Sequence, residues 1–212
     1  MLLPRRLIRF GFHLLYNQLA FTYDTVAWLV SFGQWQAWAA TSLDWLRGPR
    51  VLELGHGPGH LLVRLARLGA RPIGIDLSPN MLRMAQRRLR RAGLSVPQAR
   101  VRAPALPFRS SEFDTVVATF PTDYITQVET LREVRRVLKA DGQLIIVMGA
   151  SLGHSGLSAR FIDWLYTITG QREAAAEEAS VFEQAGLTVQ VETQMVGRSQ
   201  VALLIARQAQ AA

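Results

Sequence analysis

The feature that most constrains how this chain can fold is a set of three glycines at every second position. They lie between an apolar run and a helical pattern. The apolar run, residues 50–54, has the length of a short buried strand, and apolar residues recur at helical spacing from Leu61 onwards. Gly55, Gly57 and Gly59 are therefore predicted to form a strand-to-helix turn. Glycine adopts positive φ angles at little cost and lets a ligand approach the backbone closely. We expect this turn to belong to a binding site.

Two acidic residues accompany the turn. Glu53 precedes the glycines, and Asp76 ends a second apolar run that begins at Ile73, 23 residues after Glu53. In a β–α–β unit the carboxyl ends of the two strands meet at the same edge of the sheet, where a carboxylate accepts hydrogen bonds from both hydroxyls of a ribose. The pattern therefore indicates a site for a nucleotide-type cofactor.

The spacing also separates the classes of cofactor. A dinucleotide-binding turn has the pattern G-x-G-x-x-G, and counting from Gly55 and Gly57 places His60 where its third glycine would be. A pyrophosphate favours a helix N-terminus without a nearby acid, whereas Glu53 suits a ligand that carries positive charge. S-adenosylmethionine has a sulfonium and an amino group and no phosphate, so it fits this site better than a nicotinamide dinucleotide.

The segments E-x-G-x-G-x-G and I-G-I-D-L-S resemble the first two motifs of class I S-adenosylmethionine-dependent methyltransferases. Two later segments extend the resemblance, namely A-L-P-F followed by F-D-T-V within residues 105–116, and L-R-E-V-R-R-V-L-K-A-D-G at residues 131–142. The resemblance implies an enzyme that transfers a methyl group, with S-adenosylmethionine as its cofactor.

The resemblance also implies which residues bind the cofactor. Where the family has an aspartate after the third strand, which accepts from the adenine amino group, this chain has Arg102. Arginine has no acceptor, so we expect adenine to contact the backbone around Ala103 and the side chains of Leu77 and Leu106. The predicted cofactor site consists of Glu53, Gly55, Gly57, Gly59, Asp76, Leu77, Arg102, Ala103 and Thr119. No catalytic residue and no metal site are predicted.

Length and pattern favour a single domain, residues 1–212, of the α/β class. We expect a Rossmann-like, seven-stranded methyltransferase sheet with helices on both faces. Only a turn joins the last two strands, which predicts an antiparallel hairpin at one edge. The strands are predicted near 50–55, 71–77, 99–104, 113–120, 143–149, 187–195 and 200–207, and the helices near 59–68, 79–92, 125–139 and 174–185.

The first 46 residues bear on the substrate. Tyr23-Asp24, Ser31-Phe32-Gly33 and Trp35 resemble the N-terminal segment of ubiquinone/menaquinone-biosynthesis C-methyltransferases, and bacterial phosphatidylethanolamine N-methyltransferases have a similar Tyr-Asp pair. The resemblance implies that residues 1–46 form a helical lid over the cofactor. It also implies a small apolar or lipid-like acceptor, such as a quinone precursor or a phospholipid headgroup.

Net charge and cysteine content limit the partners and the compartment. The formal net charge is +8, and Lys139 is the only lysine. Three arginines within residues 5–9 precede an apolar stretch, which suits a helix at an anionic membrane surface. Five arginines lie within residues 83–91, and we interpret them as a solvated helix face. No cysteine and no cleavable signal pattern are present, so the cytoplasm is the expected location, with possible attachment to the membrane surface.

Several alternatives stay open. Aromatic residues do not alternate with the arginines, which makes nucleic acid an unlikely partner, but a nucleic-acid methyltransferase and a non-catalytic cofactor-binding subunit both remain as alternatives. The acceptor is expected beyond the fourth and fifth strands, at residues 119–124 and near Ser151, His154 and Ser155, beneath an apolar insert at residues 153–170. Asp123 and His154 are candidates for a general base, if the reaction needs one.

Overall fold

Strands and helices alternate along the chain in the computed structural model, which describes residues 25, 28, 29, 31–152 and 175–209. The strands are β1 (Arg50–Leu54), β2 (Arg71–Asp76), β3 (Gln98–Arg100), β4 (Phe113–Thr119), β5 (Leu138–Leu152), β6 (Leu187–Val196) and β7 (Ser199–Gln208). The α-helices are α1 (Trp35–Ala40), α2 (His60–Arg67), α3 (Pro79–Arg91), α4 (Val128–Val137) and α5 (Ala175–Gln184), and short 3-10 helices span Thr41–Trp45 and Asp123–Thr126.

The seven strands form one sheet in the order β3-β2-β1-β4-β5-β7-β6. Strands β1 to β5 are parallel to one another, and β7 is antiparallel to both β5 and β6. The Rossmann-like sheet and its terminal hairpin are therefore confirmed. The order of the strands reverses between β1 and β4, and ligands of open α/β sheets bind at the carboxyl ends of the strands at such a point.

Helices cover both faces of the sheet because its central strands are apolar on both sides. Val116 and Val117 are adjacent on β4 and fully buried, and they belong to opposite faces. Val116 packs in the cluster that includes Leu131 of α4 and Phe182 of α5, whereas Val117 packs in the cluster that includes Trp38 of α1. Full burial of one such side chain stabilises the fold by about 1.5–3 kcal/mol.

Two strands differ in extent from the sequence prediction. β3 ends at Arg100 because the chain turns away from the sheet at Arg102, whose carbonyl oxygen accepts a hydrogen bond from the Ala105 N–H at 3.0 Å. β5 begins at Leu138, five residues earlier than expected. Its first residues are held extended by their neighbours, since the side-chain amide of Gln208 donates to the carbonyl oxygens of Leu138 and Lys139 at 3.1 and 3.2 Å.

The helix predicted at residues 125–139 is also shorter than expected. The 3-10 turn at Asp123–Thr126 comes first, Gln127 is extended with ψ at 128°, and α4 begins only at Val128. α4 ends at Val137, where the chain enters β5 without an intervening loop.

The predicted lid, residues 1–46, lies mostly outside the described residues, and so does the insert at residues 153–170. The described part of the lid includes α1, where Trp38 is only 1% exposed and packs against β1 and β4. Within the described ranges, no helix has both the length and the apolar character that crossing a bilayer requires.

Candidate cofactor site

The three glycines of the turn after β1 all have positive φ angles, of 65°, 53° and 80° for Gly55, Gly57 and Gly59. A Cβ on Gly55 would lie 2.9 Å from the Tyr124 hydroxyl, and one on Gly59 would lie 2.7 Å from the Cβ of Ala85 on α3. A Cβ on Gly57 would have no atom of the described residues within 4 Å. Gly55 and Gly59 are therefore required by packing, whereas Gly57 borders open space that a ligand can enter.

Asp76, at the end of β2, contacts this turn directly. Its Oδ2 accepts a hydrogen bond from the Gly57 N–H at 2.9 Å, and its Oδ1 accepts from the Ser78 N–H at 2.7 Å. Ser78 and Pro79 are typical residues for a helix start, and the Ser78 hydroxyl accepts from the Met81 N–H at 3.3 Å at the first turn of α3. A carboxylate accepts about four hydrogen bonds in total, so Asp76 retains capacity for two ribose hydroxyls.

Glu53, the second predicted acid, is a buried carboxyl group without a full set of partners. The residue is 2% exposed, and among the described residues none forms a hydrogen bond with its Oε2. Burial, and to a smaller extent the negative charge of Asp76, raises the pKa of Glu53 well above its ordinary value. Because a buried carboxylate is costly unless a positive group pairs with it, this position favours a cationic ligand.

His56 lies within the turn, and no pattern in the sequence predicts its role. Its Nδ1 is 2.7 Å from the Gly57 carbonyl oxygen and must carry the proton, since a carbonyl only accepts. Burial lowers the pKa of His56 although the Asp76 charge opposes this, so the ring is held neutral. The imidazole has room because a Cβ on Gly74 would lie 2.8 Å from its Cδ2. His56 and Asp76 thus fix the two polar groups of Gly57.

Arg88 of α3 also contacts the turn. Its guanidinium donates to the carbonyl oxygen of Pro58, and the residue is partly buried. Of the five arginines interpreted as a solvated face, the other four are exposed, namely Arg83, Arg87, Arg90 and Arg91. The interpretation therefore fails for Arg88, because packing of α3 on α2 brings that residue beside the turn.

A cleft at the carboxyl ends of β1 and β4 brings several predicted residues together. Glu53, Gly55, Gly57 and Thr119 line it. Residues that the sequence analysis did not assign also line it, notably Trp35 and Gln36 of α1 and His60 and Arg64 of α2. The cleft lies at the point where the strand order reverses, as expected for a ligand site in this class of sheet.

The predicted adenine side lies on the loop after β3. Arg102 is exposed there, whereas Ala103 and Leu106 are 8% and 5% exposed. Leu77 follows Asp76 and is 58% exposed, which is unusual for a leucine, and its carbonyl oxygen accepts from Arg100 Nε at 3.0 Å. These positions are consistent with an apolar surface for an adenine ring next to the ribose acid.

Helix α4 fixes this loop through two side chains of the L-R-E-V-R-R segment. Glu133 accepts a hydrogen bond from the Leu106 N–H at 2.8 Å, and Arg136 donates to the carbonyl oxygens of Leu106 and Phe108 at 2.9 and 2.7 Å. Arg136 Nε also pairs with Glu133 at 2.7 Å. One polar network therefore links the A-L-P-F segment to the helix of the L-R-E-V-R-R segment.

The candidate acceptor region begins where β4 ends. Phe120 has a positive φ of 49°, which costs a residue other than glycine about 1–2 kcal/mol. Its ring lies against Trp35, with centroids 3.9 Å apart. Tyr124 donates to the Leu54 carbonyl oxygen at 3.2 Å, and Asp123 is exposed. Strained backbone of this kind often occurs at functional sites.

Other candidates cannot be placed. His154, Ser155 and residues 153–170 lie outside the described residues, as does the side chain of Ser151. Among the residues that the structure describes, no three His, Cys, Asp or Glu side chains are grouped so that they could bind a metal ion.

Comparison with known proteins finds methyltransferases among the similar sequences and structures. A family model described as "Methyltransferase domain" matches residues 51–142. The ubiquinone/menaquinone biosynthesis C-methyltransferase UbiE of Yersinia enterocolitica is 33% identical over 141 residues, covering 62% of this chain and 56% of that protein. The chain thus aligns with little more than half the length of this relative.

Two solved structures share the fold. Phosphoethanolamine N-methyltransferase 2 of Haemonchus contortus, in complex with phosphomonomethylethanolamine and S-adenosylhomocysteine, has a TM-score of 0.62 and 19% identity and covers 84% of this chain and 53% of that chain. Geranyl diphosphate C-methyltransferase of Streptomyces coelicolor, with Mg²⁺, geranyl diphosphate and S-adenosylhomocysteine, has a TM-score of 0.63 and 17% identity and covers 82% and 79%. Residues 51–142 therefore resemble a methyltransferase domain, and the chain shares its fold with these methyltransferase structures.

Proposed function

We propose that this protein transfers the methyl group of S-adenosylmethionine to a small apolar or lipid-like acceptor. The observation that carries the proposal is the pair of carboxyl groups beside the glycine turn. Asp76 has acceptor capacity left for a ribose. Glu53 is buried, and within the described part of the chain its Oε2 has no hydrogen-bond partner, so a cationic group is favoured there. S-adenosylmethionine has a ribose, which suits Asp76, and positively charged groups, which suit Glu53.

The chemistry asks little of the protein beyond binding and orientation. The acceptor attacks the methyl carbon in line with the C–S bond, that bond breaks, and its electron pair returns to sulfur to give S-adenosylhomocysteine. Much of the rate enhancement comes from holding the acceptor atom about 3 Å from the methyl carbon. A general base is needed only for an acceptor that must lose a proton, and we assign none.

Two observations support an apolar acceptor. The ring of Trp35 borders the cleft, and the ring of Phe120 at the end of β4 lies against it at a tilt of 35°. Trp28, Leu29 and Phe32, in the described part of the N-terminal segment, are 57–61% exposed and offer further apolar surface. The proteins compared above are named for ubiquinone and menaquinone biosynthesis, for phosphoethanolamine and for geranyl diphosphate, which supports a quinone precursor or a phospholipid headgroup as the acceptor of this chain.

We further infer that the protein works in the cytoplasm at an anionic membrane surface. Four exposed arginines lie on one face of α3, at positions 83, 87, 90 and 91. Each basic residue near an anionic surface contributes about 1 kcal/mol. The basic N-terminal segment, outside the described residues, adds three more arginines.

Transfer of a labelled methyl group tests the enzymatic proposal. Purified protein and labelled S-adenosylmethionine are incubated separately with a lipid extract, with total RNA and with protein extract, and the labelled product is identified. Label in lipid supports the proposal, and label in RNA identifies a nucleic-acid methyltransferase instead. Binding of S-adenosylhomocysteine without transfer to any fraction would indicate a non-catalytic subunit. Asp76→Ala is expected to be inactive. Asp141→Ala is its control, because Asp141 is exposed near the start of β5, at the amino ends of the parallel strands and away from the glycine turn.

Vesicle sedimentation tests the membrane inference. Wild-type protein is expected to sediment with vesicles of phosphatidylglycerol and phosphatidylcholine at low salt and to be released by salt. Replacing the four exposed α3 arginines by glutamine is expected to weaken this binding. A protein that ignores anionic vesicles at low salt would leave a freely diffusing acceptor as the better interpretation.

A further inference from the structure

The two edges of the sheet differ in their protection against pairing with another strand. β3 has three residues (Gln98–Arg100), Pro97 precedes it, and it ends in an arginine. A short edge strand with a proline and a positive charge pairs poorly with other chains. β6 (Leu187–Val196) has ten residues, and its sequence contains neither proline nor lysine nor arginine. The β6 edge is therefore long and unprotected.

The hairpin turn determines which backbone groups of β6 face outward. Two residues join Val196 to Ser199, and these two residues pair with each other. In a two-residue hairpin such a pair exchanges both backbone hydrogen bonds, and the direction then alternates along the strand. Alternate residues therefore direct their backbone N–H and C=O groups away from β7, namely Val189, Val191, Thr193 and Met195. Within the described ranges, β6 has no partner strand on that side.

The side chains of these outward-facing residues lie on one face of the sheet, because side chains alternate along a strand. Val189 packs against the core cluster that contains Phe182 of α5. Further along the strand, Val191 and Met195 are each 65% exposed, and the exposed Thr193 lies midway between them. The edge thus combines free backbone groups with apolar side chains that are placed symmetrically about Thr193.

We propose that β6 pairs antiparallel with β6 of a second copy of this chain, with the two-fold axis at Thr193. In this register Val191 lies opposite the partner's Met195, and the axis repeats the contact with the roles exchanged. The exposed apolar side chains of both copies are thereby brought together, and the outward backbone groups of both strands gain partners. One sheet then continues through both molecules, and this pairing requires neither the cofactor nor the acceptor.

The polar face of β6 is compatible with the same register. Glu192 lies opposite the partner's Gln194, so no carboxylate on the strand is opposite another. The side-chain amide of Gln194 donates one N–H to Asp44 at 2.6 Å, and an amide has a second N–H. That second N–H can donate to the partner's Glu192.

Neighbouring registers are less favourable. An axis at Glu192 would place its carboxylate opposite the same carboxylate of the partner, and like charges that face each other across a strand pair are destabilising. An axis at Val191 would place Met195 opposite the partner's Leu187, which is 1% exposed and already packed in the core. Only the axis at Thr193 pairs the exposed apolar side chains with each other.

Charge substitutions at Thr193 test the position of the axis. Thr193→Lys and Thr193→Glu each place like charges opposite one another in a dimer of identical chains. An equimolar mixture of the two variants places opposite charges there instead. Ser95→Lys is the control, because Ser95 is exposed close to β3 at the other edge of the sheet.

Sedimentation equilibrium over a series of concentrations measures the association. A single strand pair is small compared with the roughly 1,200–2,000 Å² of stable interfaces, so the wild type is expected to dissociate on dilution. Thr193→Lys alone and Thr193→Glu alone are expected to weaken dimerisation at least about tenfold. The mixture is expected to dimerise again, and Ser95→Lys is expected to behave like the wild type.

Thr193→Pro provides a second test that does not depend on charge. Proline removes the N–H that faces outward, and the ladder between β6 and β7 loses no hydrogen bond. This variant is therefore expected to remain folded and to be monomeric. Circular dichroism and thermal unfolding show whether each variant is folded.

Several results would overturn the proposed pairing. One is a wild-type protein that stays monomeric at all concentrations, and another is assembly beyond the dimer, since pairing through one edge stops at two chains. Dimers of Thr193→Lys or Thr193→Pro as stable as the wild type would place the contact elsewhere. A mixture of the two charged variants that stays monomeric would show that Thr193 does not lie opposite itself.

Discussion

Gly57 is the residue on which the contacts of the turn converge. His56 Nδ1 donates to its carbonyl oxygen, and its own N–H donates to Asp76. Asp76 therefore has a structural task in addition to the proposed contact with the ribose. The position of Gly57 relative to β2 depends on both His56 and Asp76, so a change at His56 is expected to alter the cofactor site although His56 is assigned no contact with the ligand.

Asp76→Ala is expected to weaken binding of S-adenosylhomocysteine by about ten- to a hundredfold, because a hydrogen bond to a charged acceptor is worth about 1.5–3 kcal/mol. The same change removes the acceptor of the Gly57 and Ser78 N–H groups, so it is also expected to lower the free energy of unfolding. Calorimetry and urea unfolding measure the two effects separately. A folded Asp76→Ala protein with unchanged affinity would contradict the assignment of the ribose acid.

The buried carboxyl group of Glu53 is expected to make the free energy of unfolding depend on pH. An ordinary glutamate ionises near pH 4.3 in the unfolded chain, at about its reference value, whereas burial raises the pKa of Glu53 in the folded protein. Between these two values the folded protein retains a proton that the unfolded chain has lost. The contribution of Glu53 to stability is therefore largest below the unfolded pKa and is lost as the pH rises through the folded pKa.

Urea unfolding over a pH series tests this for the wild type and Glu53→Gln. The variant has no ionisable group at this position, so its free energy of unfolding is expected to fall less steeply as the pH rises above about 4.3. Identical slopes for the two proteins would show that Glu53 is not the group responsible.

The sequence predicted which residues belong to the site better than it predicted which residues they contact. The glycines and both acids could be located because strand, turn and helix are close in sequence. The roles of His56, Arg88 and Tyr124 could not be predicted, since each depends on a neighbour brought together by folding, such as the Pro58 carbonyl for Arg88. Arg102 was predicted within the third strand, whereas β3 ends at Arg100 and Arg102 is exposed on the turn that follows.

Among the elements, α4 has a task beyond packing, because it fixes the loop on the predicted adenine side. The hydrogen bond from Arg136 lowers the pKa of Glu133, which keeps the carboxylate ionised. The stabilisation that this ion pair gives is present above the unfolded pKa of glutamate and is lost as the pH falls through the lower folded pKa.

Glu133→Gln is expected to increase hydrogen exchange in residues 102–108 and to weaken S-adenosylhomocysteine several-fold, because the Leu106 N–H loses a charged acceptor. Glu129→Gln is the matched control, since Glu129 is exposed on the same helix. Equal exchange in the two variants would mean that Glu133 does not order this loop.

The differences in element length have a common physical cause. Local patterns predicted β1, β2, α2 and α3 within one or two residues, because capping residues and glycines mark their ends. The early start of β5 depends on the side chain of Gln208, 70 residues away in sequence, which no local pattern reveals.

At the scale of the whole molecule, charge is distributed unevenly. Residues 60–111 contain eleven arginines and a single acid, Asp76. These residues include α2, α3, β2 and β3 at one end of the sheet. A potential of one sign over such a surface attracts anionic partners and depends on ionic strength, which is why the vesicle and RNA experiments above need controlled salt.

The predicted lid can be tested on the full chain by limited proteolysis. Residues 10–46 contain no lysine or arginine, so trypsin does not report on this segment, whereas chymotrypsin has sites at Phe10, Phe12, Phe21 and Tyr23. If residues 1–46 close over the cofactor, S-adenosylhomocysteine is expected to slow cleavage at these sites. Cleavage at the same rate with and without ligand would contradict a lid that orders on binding.

The buried carboxyl group of Glu53 also makes cofactor uptake an exchange of protons. Because Glu53 holds its proton more tightly than an exposed glutamate, a cation entering the cleft displaces that proton into the solvent. The heat of binding then includes the heat with which the buffer takes up the proton, so it is expected to differ between phosphate and Tris at one pH. S-adenosylhomocysteine keeps the ammonium group, so its binding is expected to release the same proton.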